Sequence, residues 1–170
     1  MSKTGGGRGS NQYGQKGRSR SGQTTQPSDV VDKLRRYVGD VESGGNPSST
    51  WLAQARSDLD MATSSAEQGH HDWACFAAHQ SAEMALKALH RRLGNLAWGH
   101  NLTRLLDDLP IGTPRRLRRA TNVLNNYYVA SRHPDDALAI APFERFDEDQ
   151  SKEAIRHADG ILEFVRAHMA

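Results

Sequence analysis

The sequence predicts an all-α fold, an antiparallel up-and-down helical bundle of four main helices plus a short one, behind a disordered N-terminal tail. Three observations predict it. Apolar residues recur at three-and-four spacing through most of the chain after residue 28, no segment alternates with period two, and glycine and proline fall between the periodic runs. A length of 170 residues allows one ordinary domain and an appendage. The chain divides into a tail over 1–27, a short helix and linker over 28–48, and the bundle over 49–170.

The tail is built of Gly, Ser, Gln and Arg with Tyr13 as its single aromatic, too little apolar surface to offset the entropy of ordering. The net charge of the chain is only +2, yet Lys3, Arg8, Lys16, Arg18 and Arg20 all precede Asp29, the first acidic residue. Such a tail suits non-specific contact with a nucleic-acid backbone, or simple solubilisation. Ser28 and Asp29 open a short helix to Val41 on Val30, Val31, Leu34 and Val38.

Gly44, Gly45, Asn46 and Pro47 break the pattern, after which Ser49 or Thr50 caps a helix on Trp51, Leu52, Ala55, Leu59, Ala62 and Ala66 that Gly69 ends. The central helix runs from a capping Asp72 to Leu93 without an internal Gly or Pro, and Gly94 stops it. His100 to Leu109 forms the short helix on Leu102, Leu105, Leu106 and Leu109. Thr113 and Pro114 start the next on Leu117, Ala120, Val123, Leu124 and Tyr127, since proline in a first turn forfeits no hydrogen bond. Val129 to Phe146 reads as a long loop, and Asp147 with Gln150 as a capping box for the last helix, whose Ala154, Ile155, Ala158, Ile161, Leu162 and Val165 face the core.

Composition excludes several classes. No secretory h-region follows Met1 and no stretch reaches the roughly 18 uncharged apolar residues of a membrane span, so a cytoplasmic protein without membrane contact is expected. Cys75 is the only cysteine, which rules out an intrachain disulfide and a cysteine-based zinc cluster, and its neighbours suit a small buried hydrophobe. His70, His71 and His79 are close in sequence, but His71 and His79 lie about two turns apart, too far to share one ion without a further ligand. No metal and no cofactor are expected.

Two polar groups stand out. Gln80, Glu83 and Lys87 project from one side of the apolar central helix, reading as a Glu83 to Lys87 surface pair worth a few tenths of a kcal/mol or as residues of an interface or cleft. Tyr127 to Asp136 gathers aromatic, cationic and acidic side chains where periodicity is lost. There Arg132 can fork onto a phosphate or carboxylate, Tyr128 can stack or donate, His133 can exchange a proton, and Asp135 can hold Arg132 or His133. The plainer reading is a loop anchor in which Asp135 caps a turn and pairs with Arg132.

These residues carry a resemblance. Trp51, Leu52, Gln54 and Ala55; then Trp73, Ala74, Cys75, Phe76, His79, Gln80, Ala82, Glu83, Ala85, Leu86, Lys87 and Ala88; then Gly99 and His100; then Tyr128, Ser131, Arg132, Pro134 and Asp135 resemble in order and spacing the HEPN (higher eukaryotes and prokaryotes nucleotide-binding) domain over about residues 50–168. The resemblance implies a bundle that forms a homodimer and binds a nucleotide or RNA phosphate. It further implies either the branch partnered with a minimal nucleotidyltransferase as a toxin-antitoxin pair or a sacsin-like branch, to which the WLxQA opening is also similar. It makes Glu83, Lys87, His100, Tyr128, Arg132, His133 and Asp135 the candidate ligand-binding residues.

One departure limits the chemistry. Ribonuclease members carry an Arg followed after four to six residues by a His, and none of the histidines at 70, 71, 79, 90, 100, 133, 157 and 168 has an Arg at that distance upstream. No catalytic residue is assigned on that basis. His133 also stands where the family usually has an aromatic after the loop arginine. The expected function is therefore a nucleotide- or phosphate-ligand-binding module, with a ribonuclease of non-standard Arg and His geometry or a pure protein-interaction domain as alternatives.

Overall fold

The computed structural model describes residues 47–134 and 139–170, and the expected tail, the expected helix from Ser28 to Val41, and Asp135 lie outside them. Six helices follow in order: α1 (Pro47–Glu67), α2 (His71–Arg92), α3 (Leu102–Asp107), α4 (Arg115–Ala130), α5 (Pro142–Arg145) and α6 (Glu148–Met169). Among the described residues there is no strand. No helix there is long and apolar enough to cross a membrane.

The starts and stops follow local chemistry. Gly69, Gly94 and Gly99 take positive φ values of 79°, 79° and 91°, which glycine adopts without strain, and they mark the ends of α1 and α2 and the approach to α3. Asn101 caps α3 by accepting the Arg104 N–H at 2.9 Å. At α6 the Asp147 side chain accepts the Gln150 N–H while the Gln150 side chain accepts the Asp147 N–H, completing the capping box.

Three expectations shift. Helix α1 begins at Pro47, where a proline suits the first turn, rather than at a Ser49 or Thr50 cap. Asp72 does not cap α2: it sits in the first turn and its carboxylate reaches Arg132. The expected loop from Val129 to Phe146 is shorter, because α4 continues through Ala130 and α5 adds a single turn closed by Glu144 accepting the Ala141 N–H at 3.1 Å.

The core lies where α2 meets α1 and α6. Alanines at 55, 62, 78, 82, 85, 154 and 158, all fully buried, let the backbones approach, and Leu86, Leu89, Leu102, Leu106, Leu124 and Ile161 fill the remaining space. Polar ties cross the helices inside this core. Ser81 donates to the Ala55 carbonyl at 2.7 Å, and the His90 ring donates through Nε2 to the Leu105 carbonyl at 2.8 Å, fixing α3 against α2.

Helix α4 is amphipathic, with Leu117, Ala120, Thr121 and Leu124 inward. Its first turns carry Arg115, Arg116, Arg118 and Arg119 and no acid. Cations at the positive end of a helix dipole oppose it by about 0.3–1 kcal/mol each at the surface, so tertiary burial must offset them.

Candidate functional site

Residues 72, 76, 79, 80, 83 and 87 recur at helical spacing and share one face of α2. That face is polar yet enclosed. Asp72, His79, Glu83 and Lys87 are 7%, 0%, 1% and 8% exposed, so the Glu83 to Lys87 pair is buried and the surface-pair reading fails. The three-and-four spacing identified the pair but not the depth at which it sits.

Glu83 is the hub. Its Oε1 accepts from Lys87 Nζ at 2.7 Å, and its Oε2 accepts from His100 Nδ1 at 3.0 Å. His79 supplies Nε2 to the His100 carbonyl at 3.1 Å, and a carbonyl can only accept, so that nitrogen carries the proton. Burial lowers the His79 pKa, outweighing the opposite pull of Glu83, and the neutral ring keeps an Nδ1 lone pair 4.0 Å from the Glu83 carboxylate with no partner.

Tyr128, on the last turns of α4, lies nearly parallel to three rings. Centroids stand 4.4 Å away at His79, 5.6 Å at His100 and 5.9 Å at Phe76, with interplanar angles of 24°, 17° and 14°. The stack draws α2, the residue before α3, and α4 into one aromatic array. His100, with its side chain 60% exposed, is the open end of it.

Arg132 follows α4 and turns back to α2. Its Nη2 donates to Asp72 Oδ2 at 2.5 Å, and its guanidinium lies 3.7 Å above the centre of Trp73 and 5.5 Å from that of Phe76. The expected partner Asp135 lies outside the described residues, and among them Asp72 is the carboxylate that holds Arg132. Trp73 stays 52% exposed beneath it.

The buried side-chain atoms without a hydrogen-bond partner among the described residues are His79 Nδ1, Gln80 Oε1, Arg91 Nη1 and Arg132 Nε. All belong to α2 or to the arginine lying on it. Each unsatisfied buried group costs about 1–3 kcal/mol, and their gathering on one helix face marks where the fold leaves its hydrogen bonding incomplete. Arg91 lies 4.0 Å over the Trp51 ring, repeating at the far end of α2 the arginine-on-indole arrangement of Arg132 and Trp73.

The structure therefore brings Glu83, Lys87, His100 and Tyr128 together and joins Arg132 to them through Phe76. His133 stands apart in an exposed turn with its backbone N–H on the Val129 carbonyl. Asp72, Trp73, Phe76 and His79 complete the array and are not among the sequence candidates. Except for Trp73, their signal is the spacing 72, 76, 79, 83 and 87, legible once the aromatic and charged positions are read as one stripe.

Cys75 is fully buried and burial pushes its thiol up to about 12, which removes it as a nucleophile. Among the described residues no three His, Cys, Asp or Glu side chains converge to hold a metal ion. An open polar groove lined by Asn101, Arg104, Asp107, Asp108, Asn122 and Asn126, among others, shares no residue with the array.

Comparison with known proteins accounts for this architecture. The HEPN domain family matches residues 48–168. TT1696 from Thermus thermophilus is 43% identical with a TM-score of 0.69, covering 72% of this chain and 98% of its own. ST0689, an archaeal HEPN homologue, is 31% identical with a TM-score of 0.64 and the same coverage. A HEPN domain protein, TM0613 from Thermotoga maritima, is 27% identical with a TM-score of 0.58, covering 69% of this chain and 95% of its own. No curated protein matches the sequence. A domain matched over most of the described chain, on the same bundle as its solved relatives, settles the family: the chain belongs to the HEPN domain family.

Proposed function

We propose that the edge formed by the α2 stripe, Tyr128, Arg132 and His100 binds a nucleotide or a similar phosphate-bearing ligand. The observation that carries this reading is Arg132. Its guanidinium is held by Asp72 and centred 3.7 Å over the ring of the half-exposed Trp73. A phosphate oxygen meets the part of the guanidinium that stays exposed, 21% of the side chain, with a charge-assisted bond, on a cation already ordered before the ligand arrives.

Roles follow from the geometry. A base extends the ring array at its open end, His100, because Tyr128 is already flanked by three rings. Glu83 orients His100 through Nδ1, leaving Nε2 for the ligand, and Lys87 neutralises Glu83 instead of meeting the phosphate. His133 and Asp135 are the candidates that neighbour Arg132 in sequence.

In this reading the protein works as a homodimer with the ligand in a cleft between subunits, and as partner of a minimal nucleotidyltransferase in a toxin-antitoxin pair. The basic tail adds non-specific contact with nucleic acid. Calorimetric titration with a nucleoside triphosphate tests the site: wild type gives saturable heat and Arg132→Ala loses at least about tenfold in affinity, the worth of one charge-assisted bond. No heat at millimolar ligand, or equal affinity in both proteins, sinks it.

A further inference from the structure

We infer that the outward face of α4 is a second, separate binding surface, one that follows the phosphate backbone of a nucleic acid by charge and not by sequence. It stands independently of the nucleotide reading, since it begins at the opposite end of α4 from Tyr128, about 20 Å away at about 1.5 Å per residue.

The surface is written in the helix. Arg115, Arg116, Arg118 and Arg119 lie within five residues, and no Asp or Glu occurs anywhere in α4. At about 100° per residue the four side chains fan over roughly 160°, opposite the buried Leu117 and Ala120. Arg118 is tied to Asp107 at 2.7 Å and the neighbouring Arg104 to Asp108 at 3.6 Å. Arg115, Arg116 and Arg119 are exposed, and among the described residues none has an ion-pair partner, Glu163 lying in the same hollow as Arg116 without pairing. Three uncompensated cations at the positive end of a helix are a local conflict that a polyanion relieves.

The same face continues in a polar row. Arg115, Arg119, Asn122 and Asn126 are spaced four, three and four, so they line up along α4. Asn122 accepts from Thr103 through Oδ1, which leaves its amide nitrogen to donate outward. Arginine forks and amide donors are the groups that contact phosphate and sugar. An acidic protein would match the arginines, and Trp98, 83% exposed, shares a hollow with Arg104 and Asp108 beside this face. The centre of a protein interface is apolar or aromatic, however, and α4 itself exposes no large hydrophobic residue between Arg115 and Tyr128.

Fluorescence anisotropy of the full chain with a labelled single-stranded oligonucleotide, repeated over a salt series, tests the inference against Arg115→Gln/Arg116→Gln/Arg119→Gln. Affinity at low salt falls at least about tenfold, and the slope of log K against log salt falls by about 2, from three phosphate contacts at about 0.7 each. The triple Lys variant keeps the slope, because charge and not fork geometry carries it. Both proteins retain the tail, so the difference reports α4. The Gln variant melts no lower than wild type, since it removes cations from a helix start, and it keeps its affinity for a mononucleotide at the Arg132 site. An unchanged salt slope in the Gln variant, or loss of binding in the Lys variant, overturns the inference. Equal capture of polyglutamate and oligonucleotide by wild type overturns it in favour of an acidic protein partner.

Discussion

Two Glu to Lys pairs in this molecule share one spacing and nearly one geometry. Glu83 and Lys87 on α2 meet at 2.7 Å, and Glu148 and Lys152 on α6 meet at 2.5 Å, both four residues apart with the acid on the N-terminal side. They differ in depth: the first pair's side chains are 1% and 10% exposed, the second's 67% and 57%. In water the α6 pair exchanges one set of solvated partners for another and gains little. Inside the bundle the α2 pair has given up hydration that, among the described residues, the pair's own hydrogen bond, His100 and the Trp51 ring replace. The same four-residue motif is a surface ornament in one place and a structural commitment in the other.

Breaking the buried pair has the greatest consequence. Lys87→Met leaves the Glu83 carboxylate enclosed with His100 as its remaining hydrogen-bond partner, and we expect a loss of about 3–5 kcal/mol in urea unfolding, read as a lower midpoint at unchanged slope. Replacing both members, Glu83→Leu with Lys87→Met, recovers most of that loss, because no orphan charge remains. If the double variant is as unstable as the single one, burial of an unpaired charge is not the cause.

A second test follows from His79. Its pKa is lowered by burial, so in the acidic range the unfolded chain binds the proton more readily than the folded one. Its contribution is therefore fully present above the ordinary histidine value near about 6.5 and is lost as pH falls from there toward the folded value. Stability falls with acidification by at most about 1.4 kcal/mol per pH unit from this group, and His79→Asn flattens that slope between about pH 7 and 5 in urea midpoints taken across the range.

The mildest outcome belongs to the exposed pair. Glu148→Gln or Lys152→Met leaves the urea midpoint where it was, and raising salt changes neither variant relative to wild type. A clear drop in either one contradicts the assignment of that pair to solvent.

The bundle is legible in the sequence because its signals are local. Periodicity places each main helix, Gly69 and Gly94 place stops that positive φ requires, and Asp147 with Gln150 places the α6 start to the residue. Expectation and structure part where a side chain answers a distant partner. Asp72 has the chemistry of a cap, but Arg132, sixty residues on, claims its carboxylate. Tyr128 and Arg132 read as loop chemistry, whereas Tyr128 is still helical and both fold back onto α2. Sequence spacing says which residues share a helix face; it does not say whether another helix covers that face.

Whether one enclosed array receives the ligand can be read from an NMR titration of histidine- and tyrosine-labelled protein with a nucleoside triphosphate. The resonances of His100, Tyr128 and His79 should move together along one saturable curve, while His157, on α6 and engaged with Glu153, stays still. Shifts confined to other histidines and tyrosines, or none at millimolar nucleotide, would contradict it.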